Sequence, residues 1–211
     1  MKIVVLVGSG LSVPAGYPRT ADLTARVMFG RDVFRNTDSS YSLDSGNDPE
    51  GPAAVAMVVA FLQRLGKLVT GYYSHRPNRL VNYEDLAYLV GQFADSESGE
   101  YDNPALGPLL ASLRPDVEAI LEQGGQDPDR RWSVLELATE ARHYIADVVW
   151  RSLQQEHGGD YLASFVQFVR DDRLEDVSIF TLNHDPLLER TFRAGGLEFA
   201  DGFGDPVNGV R

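Results

Sequence analysis

The stretch "VVLVGSGLSVPAGYP", Val4 to Pro18, decides how this chain is read. An apolar run breaks off at Gly8-Ser9-Gly10 and resumes among small residues, Ser12, Ala15 and Gly16. The β-branched segment Ile3 to Val7 predicts a short strand covered on both faces. The glycines after it predict a turn whose backbone N–H groups can approach a phosphate, because no β-carbon stands in the way. A secretory signal would need an apolar stretch of about 7–15 residues after its basic start. Here Lys2 is followed by only the five residues Ile3 to Val7 before Gly8 interrupts, so a buried strand is the better reading.

The rest of the chain fits an α/β domain. Its 211 residues are enough for one domain with a sizeable core, and 43% hydrophobic with 24% charged residues is an ordinary globular balance rather than a disordered one. The net charge of −12 repels nucleic-acid phosphate and anionic lipid, and the small clusters at Arg130-Arg131 and His75 to Arg79 do not reverse it. No direct nucleic-acid binding is expected. The longest uninterrupted apolar run, Pro52 to Leu62, falls far short of the roughly 20 residues that span a bilayer, so no membrane segment is expected. The absence of cysteine excludes disulfides, thiolate nucleophiles and cysteine-held zinc, and it fits a cytoplasmic protein. With four histidines and no cysteine, no metal site is expected.

Working outward, Thr20 is placed to cap a helix over Ala21 to Phe29, with Leu23, Val27 and Met28 turned inward. Gly30 to Gly51 is polar and glycine-rich and reads as a long loop. From about 52 to 172 the periodicity is almost wholly helical. Ala53 to Val69 is apolar nearly all round, Asn82 with Asp85 opens a helix, and Ser133 with Glu136 forms a capping box. The stripe that follows is Val134, Leu137, Ala141, Tyr144, Val148 and Trp150. Gly158-Gly159 should stop that helix, and Asp160 should cap the next, Tyr161 to Arg170. A second strand is expected over Val177 to Asn183, a helix from Asp185-Pro186 to Ala194, and a third strand over Leu197 to Ala200. Three strands are few for a doubly wound sheet, where five or six is the mean, so the chain is expected to be the amino-terminal portion of a longer domain.

A lone Gly-x-Gly is weak evidence, since an isolated match is more often a plain tight turn. The second motif is "TLNHDPLLE", Thr181 to Glu189, at the carboxyl end of a strand, where α/β sheets bind ligands. Its plainer reading is that Asp185 caps a helix and Asn183 satisfies loop backbone. Taken together, "GSGLSVPAGYP" and "TLNHDPLLE" resemble the sirtuin-like NAD-binding superfamily, in particular the bacterial sirtuin-like NAD-consuming enzymes of antiphage defence. "DGF" at Asp201 to Phe203 is similar to what often follows in those relatives. The resemblance covers the two ends of the chain, the helical block between them being recognised by position alone.

That resemblance implies a Rossmann-like parallel sheet with a large helical insertion at about 52–172, and NAD as substrate with no metal. Gly8, Ser9, Gly10 and Ser12 would contact the diphosphate, with Gly16 and Pro18 shaping the loop. Arg19, with Thr20 beside it, would lie near the nicotinamide ribose. Thr181, Asn183 and Asp185 would line the cofactor, Asn183 holding the ribose or the attacking water and Asp185 lying near the nicotinamide. A homo-oligomer or a heteromeric defence complex is expected by analogy.

The chain departs from the family in two respects. Its last histidine is His184, where relatives usually carry Tyr or Ile, and the His-Gly base of these enzymes is not found downstream. In an extended segment alternate side chains face opposite ways, so His184 should point away from Asn183 and Asp185. The base is therefore either His184 or, as expected, on sequence beyond Arg211. The four-cysteine zinc module of protein deacylases cannot be built from a chain without cysteine, which favours NAD⁺ hydrolysis over deacylation. The expected activity is NAD⁺ glycohydrolysis, and the alternative is a module that senses NAD or an ADP-ribose-type nucleotide without cleaving it.

Overall fold

The computed structural model describes residues 1–44, 52–76, 78–100, 103–124, 131–154 and 158–200. The expectations for the end of the Gly30–Gly51 loop and for Asp201 to Phe203 lie outside them. The chain is mixed α/β and divides into two compact units, Pro18–Ser152 and Met1–Tyr17 with Leu153 onward.

The first unit described here, Pro18–Ser152, is helical. It holds α1 (Thr20–Phe29), α2 (Ala53–Tyr72), α3 (Tyr83–Ser98), α4 (Gly107–Gln123) and α5 (Val134–Leu153), with a hairpin of β2 (Phe34–Arg35) and β3 (Tyr41–Ser42). Helix α2 packs against α1, α3 and α4. By length and composition α2 is apolar enough to cross a membrane. Its Val58, Phe61, Leu62 and Leu65 are nevertheless fully buried, with Leu86 and Val90 of α3 and Leu113 of α4 also in this core. Phe61 meets Phe93 edge to face, ring centroids 5.5 Å apart.

The helix starts follow from local hydrogen bonding. Asn82 Oδ1 accepts the Asp85 N–H at 2.8 Å and Asp85 Oδ2 accepts the Asn82 N–H at 3.1 Å, closing the box at the head of α3. Ser133 and Glu136 do the same for α5. Helix α1 differs from expectation: Thr20 is already helical, and Asp22 Oδ2 accepts the N–H of Arg19 instead. Trp150 also differs, being exposed. It stands two residues, about 200° around the helix, from the buried Val148.

The expected loop from Gly30 contains ordered structure. Arg35 and Tyr41 of the hairpin are buried on α5, Arg35 holding Glu140 bidentately at 2.9 Å through both Nε and Nη2. Tyr41 Oη donates to Glu140 Oε2 at 2.7 Å and the Tyr41 N–H donates to Asp147 at 2.8 Å. Trp132 stacks beneath the Arg35 guanidinium. These partners lie about a hundred residues away, so local composition could not announce them.

The other unit carries a two-stranded parallel sheet, β1 (Lys2–Val7) and β4 (Asp176–Thr181), paired from Lys2 with Asp176 to Val7 with Thr181. Parallel neighbours of this kind need a long crossover, supplied here by the entire intervening chain. The strand β1 is not covered on both faces. Its residues alternate, Ile3, Val5 and Val7 half-buried and Lys2, Val4 and Leu6 exposed; Phe180 on the neighbouring strand and Leu182 just past its end are exposed as well.

Between the strands run a 3₁₀ turn at Asp160–Leu162 and α6 (Ala163–Val169), and after β4 comes α7 (Leu187–Ala194). Asp160 therefore opens a tight turn rather than capping a helix, and α5 ends at Leu153, before Gly158-Gly159. Pro186 stands immediately before α7. The expected strand over Leu197 to Ala200 does not form. Gly196, at φ +66°, closes α7: the Leu197 N–H reaches back to the Phe192 carbonyl and the Gly196 N–H to that of Arg193, both at 2.9 Å. Phe199 then folds onto Phe192 and the Arg193 guanidinium, so these residues finish a helix instead of adding a strand.

Candidate functional site

The strand ends of β1 and β4 bring the two sequence motifs together. After Val7 the chain turns through a 3₁₀ segment, Ser9–Leu11, and a second, Val13–Ala15, closed by Gly16 at φ +97°. Gly8, Ser9 and Gly10 are exposed, and Ser12 is only 2% exposed. The leading N–H groups of such a turn have no acceptor within it and are open to an anion. Neither Gly8 nor Gly10 has a positive φ, and a β-carbon added at either would meet nothing within 4 Å. Backbone strain and internal packing thus give no reason for glycine at these two positions. The open space faces whatever approaches the turn.

Asn183 joins this loop to β4. Its Nδ2 donates to the Gly8 carbonyl at 3.2 Å and to Ser12 Oγ at 2.9 Å, and its own N–H donates to Thr181 Oγ1 at 3.0 Å. Residues some 170 positions apart are thereby tied into one cluster: Gly8, Ser12, Thr181 and Asn183. Asp185 follows, half-buried, with Oδ1 accepting the Leu187 N–H at 3.2 Å, so it does help to cap α7. His184, between them, is exposed. Pro18 and Arg19 belong to the helical unit, where Arg19 is exposed at the head of α1.

Three further residues border the cluster and were not anticipated. Tyr17, buried, has its hydroxyl 3.5 Å from Nη1 of Arg190, whose Nη2 donates to Gln154 Oε1 at 3.0 Å and to the Gln154 carbonyl at 3.2 Å. Burial pushes the Tyr17 phenol up, Arg190 opposes that, and the negative charge of Asp185 adds to it. Tyr161 donates its hydroxyl to the Leu11 carbonyl, pinning the glycine loop, and its phenol is raised by burial and then by Asp185. Asp185 therefore sits electrostatically beside two neutral phenols. The one sequence signal available was Tyr17 itself, a large aromatic set between a loop glycine and a proline. Nothing local marks Tyr161 or Arg190. Among the described residues no group of three or more potential metal ligands occurs.

The sequence matches no protein-family model, and neither a curated protein nor a solved structure shows significant similarity to it.

Proposed function

We propose that the sheet unit is a Rossmann-like, sirtuin-like NAD-binding domain that hydrolyses NAD⁺ to nicotinamide and ADP-ribose, within a cytoplasmic antiphage effector. One observation carries the reading: the Asn183 side chain links the glycine turn after one strand to the end of the parallel strand beside it. Dinucleotides bind at the carboxyl ends of adjacent parallel strands, with the diphosphate on a glycine turn. Gly8 and Gly10, where an added β-carbon would meet nothing within 4 Å, suit that approach.

The chemistry asks little more of the site. Cleaving the nicotinamide–ribose bond leaves cationic character on the ribose, and water supplies the hydroxyl that replaces nicotinamide, releasing one proton. The amides of Ser9 and Gly10 would hold the diphosphate, the remaining acceptor of Asn183 would fix a ribose hydroxyl or the water, and Asp185 would face the developing positive charge. Incubation with NAD⁺ should release nicotinamide, and Asn183→Ala should cut that release to a small residual rate. An undiminished rate in the variant would overturn the assignment.

A second reading is favoured by one fact: His184, the histidine within the motif, is exposed. On that reading the same cluster senses NAD or an ADP-ribose-type nucleotide without cleaving it. Titration calorimetry separates the two, since binding with no nicotinamide released supports the sensor.

A further inference from the structure

We infer that Ser12 is a positioning residue that locks the Asn183 amide, rather than a ligand of the diphosphate; the inference rests on the NAD reading of this site. A side-chain amide offers two N–H donors and one acceptor oxygen. The Gly8 carbonyl can only accept, so at 3.2 Å it must face Nδ2, and turning the amide over would set two oxygens against each other. The second Nδ2 hydrogen goes to Ser12 Oγ at 2.9 Å. Both donors are then used inside the protein, and Oδ1 is the group Asn183 has left to offer a ligand.

Ser12 is suited to this task by burial. At 2% exposure its hydroxyl is screened from competing water, whereas Ser9 and Gly10, the natural phosphate contacts, are exposed. The residue is also anchored by its backbone. The Ser12 carbonyl accepts the N–H groups of Ala15 and Tyr17, at 3.1 and 3.3 Å, and its own N–H donates to the Ser9 carbonyl at 3.1 Å. Thr181 Oγ1, taking the Asn183 N–H, holds the other end of the same residue. Gly8, Ser12 and Thr181 together leave the amide one orientation.

The test compares Ser12→Ala, Ser12→Thr, Asn183→Ala and the Ser12→Ala/Asn183→Ala pair in NAD⁺ hydrolysis. Loss of the lock should lower kcat roughly ten- to a hundredfold while KM stays nearly constant, because a misplaced group costs rate rather than binding. Ser12→Thr, which keeps an oxygen, should recover most of the rate, and the double variant should be no slower than Asn183→Ala alone. A raised KM at unchanged kcat, or fully additive losses, would identify Ser12 as a phosphate contact and overturn the inference. A second readout needs no turnover: in ¹⁵N-labelled protein without NAD⁺, Ser12→Ala should move the Asn183 side-chain NH₂ resonances and hasten their exchange with solvent. Unmoved resonances overturn the lock by themselves. If the wild type releases no nicotinamide, the NAD reading is what fails, and the resonances still decide the lock.

Discussion

The two units solve the same problem, burying apolar side chains, to very different degrees. In the helical unit Phe61, Val58, Leu65, Leu86 and Tyr144 are fully buried, and the heads of α3 and α5 are closed by reciprocal capping boxes. In the sheet unit, Val4 and Leu6 of β1, Phe180 of β4 and Leu182 just past its end are 60–83% exposed. The helical unit is thus organised around its own stability. The sheet unit spends its strand ends on a polar cluster of Gly8, Ser12, Thr181 and Asn183, with Asp185, Tyr17, Tyr161 and Arg190 around it. Backbone and polar groups stay accessible at those strand ends, and the unit that carries the cluster is the one with the thinner core.

The comparison breaks most sharply on two phenylalanines. Phe61→Ala removes a fully buried ring that contacts Phe93, and the helical unit should lose about 3–5 kcal/mol. Phe180→Ala removes a ring that is 60% exposed and should change stability by no more than about 0.5 kcal/mol. Guanidinium denaturation followed by far-UV circular dichroism measures both. Comparable losses would mean that the bare face of the sheet is covered in solution.

Next in size is the hairpin anchor. Glu140→Ala would leave Arg35, buried on α5, without its carboxylate, and breaking such a pair costs about 3–5 kcal/mol, somewhat less here because Glu140 keeps some solvent contact. The same pair gives the helical unit a pH dependence. Burial raises the Glu140 carboxyl, but hydrogen bonds from Arg35 and Tyr41, with the charges of Arg35 and His143, outweigh it and hold it below the ordinary value of 4.5. A depressed folded-state value stabilises above the unfolded-state value and is lost as pH falls through it. Thermal melts should therefore decline below about pH 4.5, and the decline should shrink in Glu140→Gln, which cannot titrate. An identical acid profile in the variant would assign the effect to other carboxylates.

What the sequence revealed divides along the same line. Asn82, Ser133 and Glu136 were legible because a cap is settled within three residues, and Leu137, Ala141, Tyr144 and Val148 because a helix repeats its own face. Trp150 failed the same test once the angle was counted. Arg35 and Tyr41 were not legible, since their partners Glu140 and Asp147 lie on a distant helix. Leu197 to Ala200 has the composition of a strand, yet among the described residues no neighbouring strand takes it up and the helix closing at Gly196 claims Leu197 and Phe199 first. Whether a strand is covered is decided by what packs on it, which Ile3 to Val7 could not say. In the site, the glycine turn and Asn183 were readable as motifs. The hydrogen bond between Ser12 and Asn183, and the roles of Tyr161 and Arg190, exist only once two parallel strands are side by side.

The smallest expected effect discriminates most finely, and it concerns glycines. In the helical unit Gly30 is required by the fold: φ is +59°, and a β-carbon would come within 2.7 Å of Val59 and 3.3 Å of Tyr144. Gly30→Ala should cost about 1–2 kcal/mol from the left-handed backbone alone. Gly10 has neither constraint, so Gly10→Ala should leave the melting temperature unchanged or raise stability by up to about 1 kcal/mol, through a stiffer unfolded chain. A residue the fold does not need is free to be needed by something else. Under the NAD reading the same Gly10→Ala protein, fully folded, should bind NAD⁺ more weakly, with Gly10→Val weaker still, because each added carbon stands where the diphosphate approaches. Calorimetric titration of the two variants reads this directly. Affinity unaltered in both, at unaltered stability, would show that the space over the turn belongs to no ligand.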